Sequence, residues 1–152
     1  MTSPLIPEIT SWSRSSVDDL TYKVVGAAIE VQRHFKTGLK EKVYEECMCL
    51  ELQALGIPFR RQYFFNPIYK GVQLNTSSVI DLLVDDILIV ELKAVSEVLP
   101  IHKAQALNYI NLLNLPKALI LNFHCMNVAQ KGRFTVVNSI YEKNARTAIE
   151  IL

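Results

Sequence analysis

Val79-Ile80-Asp81-Leu82-Leu83-Val84-Asp85-Asp86-Ile87-Leu88-Ile89-Val90-Glu91-Leu92-Lys93-Ala94 sets three charged side chains into what otherwise reads as two buried strands. An unpaired buried charge is costly, so such residues are paired, hydrogen-bonded or bound to a metal ion. Asp81 and Glu91 offer hard oxygen ligands and Lys93 a cation, a set suited to Mg²⁺ and a phosphate. Parity along the strands tests the idea. Side chains alternate faces, so Glu91 and Lys93 share one. A two-residue turn at Asp85-Asp86 would put Asp81 opposite Val90, on the wrong face for Glu91. With Asp85-Asp86-Ile87 as a three-residue connection, Val84 opposes Leu88 and Asp81 opposes Glu91. Ile80, Leu82, Val84, Leu88, Val90 and Leu92 then form one unbroken apolar face, so packing and chemistry choose the same register. The alternative is a surface ion pair among Asp81, Glu91 and Lys93 without metal.

Outward from this hairpin, Ser16-Val17-Asp18-Asp19 has a capping form and opens an amphipathic helix through Leu20, Val24, Ala27, Val31 and Phe35. A second helix is expected over residues 39–55, with Val43, Cys47, Leu50 and Ala54 as its buried stripe and Gly56 and Pro58 ending it. Residues 59–74 alternate loosely around Pro67 and Gly71, as two edge strands or a bent hairpin. After the central hairpin, Pro100 opens a helix to about Leu113, and Ala118-Leu119-Ile120-Leu121-Asn122-Phe123 suits a strand buried on both faces. Strand, helix and strand make a crossover with parallel strands. Residues 134–137 read as a further strand. The fold class is α/β, a mixed β-sheet flanked by α-helices.

The chain has 152 residues, half of them apolar and a fifth charged, which suits one domain over residues 16–152 behind a flexible segment at 1–15. No apolar run is long enough to span a bilayer, and residues 1–7 lack the basic start and long apolar core of a secretion signal. A soluble protein of the reducing cytoplasm is expected, with Cys47, Cys49 and Cys125 as free thiols. The CxC spacing of the first two fits neither a zinc nor a redox site. A net charge of +1 argues against a generally basic nucleic-acid coat, although Arg60, Arg61, Lys70, Lys103, Lys131 and Arg133 could line a cleft or simply solubilise the surface. There is no Walker loop, GxGxxG or HExxH motif.

The D…ExK arrangement of Asp81, Glu91 and Lys93 resembles the PD-(D/E)xK nuclease superfamily, and residues 20–123 resemble its small GxxExxY branch. Three blocks carry the likeness: Gly38-Leu39-Lys40-Glu41-Lys42-Val43-Tyr44, the central hairpin, and His102-Lys103-Ala104-Gln105-Ala106-Leu107-Asn108-Tyr109. Ile80 stands where the superfamily's name has Pro, a common variation. The resemblance implies a restriction-endonuclease-like fold and a Mg²⁺-dependent nuclease, Mn²⁺ substituting, that acts on nucleic acid, DNA before RNA. It implies Asp81, Glu91 and the Leu92 carbonyl as metal ligands. Lys93 would orient the attacking water or neutralise phosphate charge. Glu41 would be a further ligand, direct or through water and shared with Glu45. With Gly38 at the N-cap, however, Glu41 falls at N3, where helix capping alone accounts for it. Gln105 and Tyr109 match a Q-x-x-x-Y pattern in which Gln supports the site or contacts substrate; the alternative leaves His102 and Gln105 on the surface and Tyr109 in the packing. Two rivals remain: an inactive nucleic-acid- or protein-binding module with the nuclease fold, and an enzyme for another phosphate substrate. No separate DNA-reading segment is evident, so a homodimer or a protein partner would have to supply specificity.

Overall fold

Asp85 and Asp86 both take positive φ, 52° and 54°, a conformation short polar side chains tolerate, and the Ile87 amide donates to the Val84 carbonyl at 3.1 Å. This closes the central hairpin in the computed structural model, which describes residues 12–143. Its strands are β4 (Ser78–Val84) and β5 (Leu88–Lys93), in the register Val84↔Leu88, Leu83↔Ile89, Leu82↔Val90. That is the expected three-residue connection, with Ile87 as the extra residue.

Around it stand α1 (Arg14–Phe35), α2 (Glu41–Ala54), β1 (Phe59–Phe65), the small hairpin β2 (Ile68–Tyr69) and β3 (Val72–Gln73), α3 (Pro100–Leu112), β6 (Lys117–Asn122) and β7 (Arg133–Val137). The main sheet runs β1-β4-β5-β6-β7. β5 and β6 are parallel, joined through α3 as expected, and the other neighbours are antiparallel. The result is a mixed five-stranded sheet flanked by helices. Most of the expected N-terminal segment lies outside the described residues, but helix α1 already begins at Arg14.

Two apolar clusters sandwich the sheet. Leu82, Val84, Leu88, Val90 and Leu92 pack on Val24, Ala28 and Val31 of α1 and Tyr44, Met48 and Leu52 of α2. Leu83, Ile89, Ala118 and Ile120 pack on Ala106 and Ile110 of α3. One expectation fails here. Ile80 leaves the first face and joins Tyr63 and Phe65 on the α3 side. The alternation breaks at Asp81, which no aligned pair includes: the β1 pairs step from Arg61↔Leu82 to Tyr63↔Ile80, and the β5 pairs stop at Leu82. Gln62, the residue skipped on β1, has φ 51°.

Smaller corrections concern the helices. The N-cap of α1 is Ser13, whose hydroxyl accepts from the Ser16 amide while the Ser13 amide donates to the Ser16 hydroxyl, so Ser16 is the third helical residue and not the start. The buried stripe of α2 is Tyr44, Met48 and Leu52, whereas Val43 and Leu50 are exposed. Tyr44 decides this. Its ring stacks on Phe123 at 4.5 Å, its hydroxyl donates to the Lys36 carbonyl, and it accepts from the Leu39 amide. The α1–α2 loop, in which Gly38 takes φ 99°, is thereby pinned above the sheet end. At the opposite end, buried Lys117 pairs with Asp18 at 2.9 Å, and Tyr141 donates to the same carboxylate. No helix among the described residues is long and apolar enough to cross a membrane.

Candidate active site

Where Asp81 drops out of the backbone ladder, side chains take over its hydrogen bonds. The Leu92 amide donates to Asp81 Oδ2 at 2.8 Å, and the Asp81 amide donates to Glu91 Oε1 at 3.3 Å. The two carboxylates therefore bridge β4 and β5 at the level at which the register sets Asp81 against Glu91. A residue's N–H and C=O leave an extended strand on the same edge, so the Leu92 carbonyl also faces the β4 side. Asp81, Glu91 and the Leu92 backbone therefore meet at one point between the strands.

Glu91 is 7% exposed. Burial, and next the Asp81 charge, push its carboxyl up to about 8. The shift means that no cation among the described residues offsets the burial in full. Lys93, half-buried two residues along, opposes the shift without removing it, and makes no ion pair within 4 Å with a carboxylate of the described residues. The expected alternative of a closed ion pair among the three residues is not what the side chains form.

Glu41 approaches from α2. Burial and then the Asp81 charge raise its carboxyl, against Lys93 and Lys42, so it shares the field of the site. It is the first residue of α2 behind an N-cap at Lys40, not the third behind Gly38, and α2 has no side-chain cap bond; what remains of the capping reading is an acidic side chain in the first turn, where it complements the helix dipole. Glu45, one turn on, is buried and tied elsewhere. Its oxygens accept from Arg61 Nε at 2.9 Å and from Gln62 Nε2, and Lys42 lies at 3.5 Å. The Gln62 amide also donates to Asp81 Oδ1 at 3.3 Å.

From α3, Tyr109 reaches the site's edge. Its ring meets Phe65 edge-on at 5.4 Å, and burial, then the Glu91 charge, raises its phenol. Gln105, one turn earlier, is exposed, so it is not spent in the core. His102 is spent: its Nδ1 accepts the Leu99 amide at 3.0 Å and caps the helix start. Of the basic residues that could line a cleft or simply solubilise the surface, Arg60 pairs with Asp86 at the far hairpin turn, Arg61 with Glu45, and Lys103 lies over the Phe134 ring. The three cysteines are free thiols, and burial raises Cys47 and Cys49.

Glu45, expected to share a ligand role with Glu41, is instead held by Arg61 and Gln62. Two residues around these carboxylates carry no sequence signal of their own. Gln62 matters only because β1 lies beside β4. Asn122 ends an apolar run and clamps the chain leaving Lys93. Its side chain bonds both the amide and the carbonyl of Val95, at 3.1 and 2.8 Å, while the Phe123 amide donates to the Lys93 carbonyl at 2.9 Å.

Among the described residues, no three His, Cys, Asp or Glu side chains form a group able to hold a metal. Mg²⁺ does not need one, since it takes one or two carboxylates and keeps several waters. Two carboxylates and a carbonyl where β4 meets β5 fit such an ion by donor type. Residues 18–134 match the family described as the PD-(D/E)XK nuclease superfamily, and the chain belongs to that superfamily. Its members are nucleases that generally use divalent metals. No curated protein and no solved structure matches the chain significantly.

Proposed function

We propose that this protein is a Mg²⁺-dependent nuclease of the GxxExxY branch, hydrolysing phosphodiester bonds in DNA in preference to RNA. The observation that supports it most is the pair of crossed bonds by which Asp81 and Glu91 span the gap between β4 and β5 with Lys93 beside them. Asp81, Glu91 and the Leu92 carbonyl would hold the ion, with Glu41 bound directly or through water. A divalent ion there would supply Lewis acidity to the scissile phosphate and its attacking water.

The remaining work falls to the chain. Lys93 donates hydrogen bonds to the water or to a phosphate oxygen, a task for which a compact ammonium on a flexible stem is suited. Asn122 fixes the backbone that carries Lys93. Gln105 projects from α3 as a substrate contact, and Tyr109 walls the site. The domain would begin with the capped start of α1 and work in the cytoplasm, where the thiols stay reduced, with dimerisation or a protein partner supplying specificity.

Incubation with Mg²⁺ or Mn²⁺ and single-stranded, double-stranded and branched DNA and RNA tests this directly, with the Asp81→Ala protein alongside. Metal-dependent cleavage of DNA, absent in the variant, is expected. Nucleic-acid binding without cleavage would favour the inactive binding module, and equal cleavage by both proteins would mean a contaminating nuclease.

A further inference from the structure

Gln62 occupies a costly position for an ordinary residue. It lies within β1 yet has φ 51°, a left-handed conformation uncommon for side chains longer than Asn and out of place inside a strand. It stands where the β1–β4 register would set it against Asp81, and both residues drop out of the aligned pairs. Its amide nitrogen donates to Asp81 Oδ1 at 3.3 Å and also to Glu45 Oε1. Glu45 is itself buried and fixed from its other oxygen by Arg61 at 2.9 Å. Asp81 Oδ2 is held by the Leu92 amide.

We propose that Gln62 is a positioning residue for the metal centre: its amide, anchored on Glu45, holds the Asp81 carboxylate in the plane in which it meets a divalent cation beside Glu91. The inference rests on the metal-centre reading above and adds residues that touch neither ion nor substrate. A neutral amide suits the place. It supplies two N–H donors between two carboxylates that would otherwise repel each other, and it leaves the negative charge of Asp81 available to the cation. The strained backbone then has a physical reason, since a regular extended Gln62 would stay in the β1 ladder and alternate with its neighbours. Such outer partners of metal-ligating carboxylates commonly govern affinity by tenfold to a hundredfold.

Gln62→Gly gives a direct test, because glycine takes the positive φ without strain and removes the side chain whose amide forms the clamp. Mn²⁺ alone, titrated by calorimetry into wild type and variant, reads the clamp without requiring turnover, and thermal melts in EDTA read the fold. The expected result is a dissociation constant for Mn²⁺ weakened about tenfold or more, with the metal-free protein still melting cooperatively. Glu45→Gln, which keeps the shape but weakens the anchor, should shift the constant in the same direction by less. It also serves if Gln62→Gly fails to fold. Tight Mn²⁺ binding by wild type with unchanged affinity in both variants overturns the clamp while leaving the metal centre standing. Absence of Mn²⁺ binding by wild type overturns the metal centre and the clamp with it.

Discussion

Replacing Glu91 by Gln should make the metal-free protein more stable. The carboxyl is pushed up to about 8 by burial and then by the Asp81 charge, from an unperturbed value of 4.5 that it regains on unfolding. The folded protein therefore keeps a proton at neutral pH that the unfolded chain gives up. The stability this group contributes is present in full below about 4.5, is lost progressively as pH rises towards about 8, and stops changing beyond it. At pH 7 the loss is on the order of 3 kcal/mol, taking 1.36 kcal/mol per pH unit. Gln has nearly the same shape, keeps an oxygen for the Asp81 amide, and has no proton to lose. Urea unfolding in EDTA at pH 5, 6, 7 and 8 should show the two proteins close at pH 5 and Glu91→Gln ahead by roughly 2–3 kcal/mol at pH 7 and roughly 3–4 kcal/mol at pH 8. A gap independent of pH, or a variant less stable at pH 8, would refute the reasoning. The same proton is displaced when a cation binds, so wild-type Mn²⁺ affinity should tighten by nearly tenfold per pH unit below about 8, a dependence the variant lacks.

Other substitutions separate the remaining roles. Lys93→Ala should abolish cleavage while leaving metal binding largely intact, whereas Asp81→Ala should lose both; calorimetric titration beside single-turnover cleavage checks this, and parallel losses would place Lys93 among the groups holding the ion. Gln105→Ala should weaken turnover or substrate binding with stability changed by only about half a kcal/mol, and unchanged activity would return it to the ordinary surface. Gly132→Ala should destabilise by roughly 1–3 kcal/mol in urea, because a Cβ there would fall 2.3 Å from the Asn122 carbonyl oxygen and 2.7 Å from Cys125 Sγ. A wild-type unfolding curve would mean that the β6–β7 connection yields freely.

The central hairpin was legible because its information is local. Parity across a short turn, together with the need to keep Leu82, Val84, Leu88 and Val90 inside, left one register that also joined Asp81 to Glu91. The misplaced Ile80 was not legible, since its turn to the α3 side follows from a break in which Gln62, on another strand, takes part. The stripe of α2 shifted by one residue for a related reason. Apolar residues lie on both sides of that helix, and the choice was made by the Tyr44 hydroxyl and its stacking on Phe123, partners 5 to 79 positions away in the chain. Asp81, Glu91 and Lys93 announced themselves as charges in strands. Gln62 and Asn122 did not, because polar residues on an edge strand and at a strand end are ordinary until tertiary packing buries them or aims them.

The bond from the Leu92 amide to Asp81 Oδ2 gives the buried central strand a built-in reporter. Most amides of a sheet owe their protection from deuterium exchange to backbone carbonyls, so they open together with the whole structure. This one depends on a functional side chain. Its exchange rate should follow the orientation of Asp81 in solution, rising alone in Asp81→Ala while Ile89 and Leu121 remain slow, and staying low in Asp81→Asn, which keeps an acceptor oxygen. A single amide in the interior thus allows the state of the carboxylate to be followed without substrate, ion or turnover.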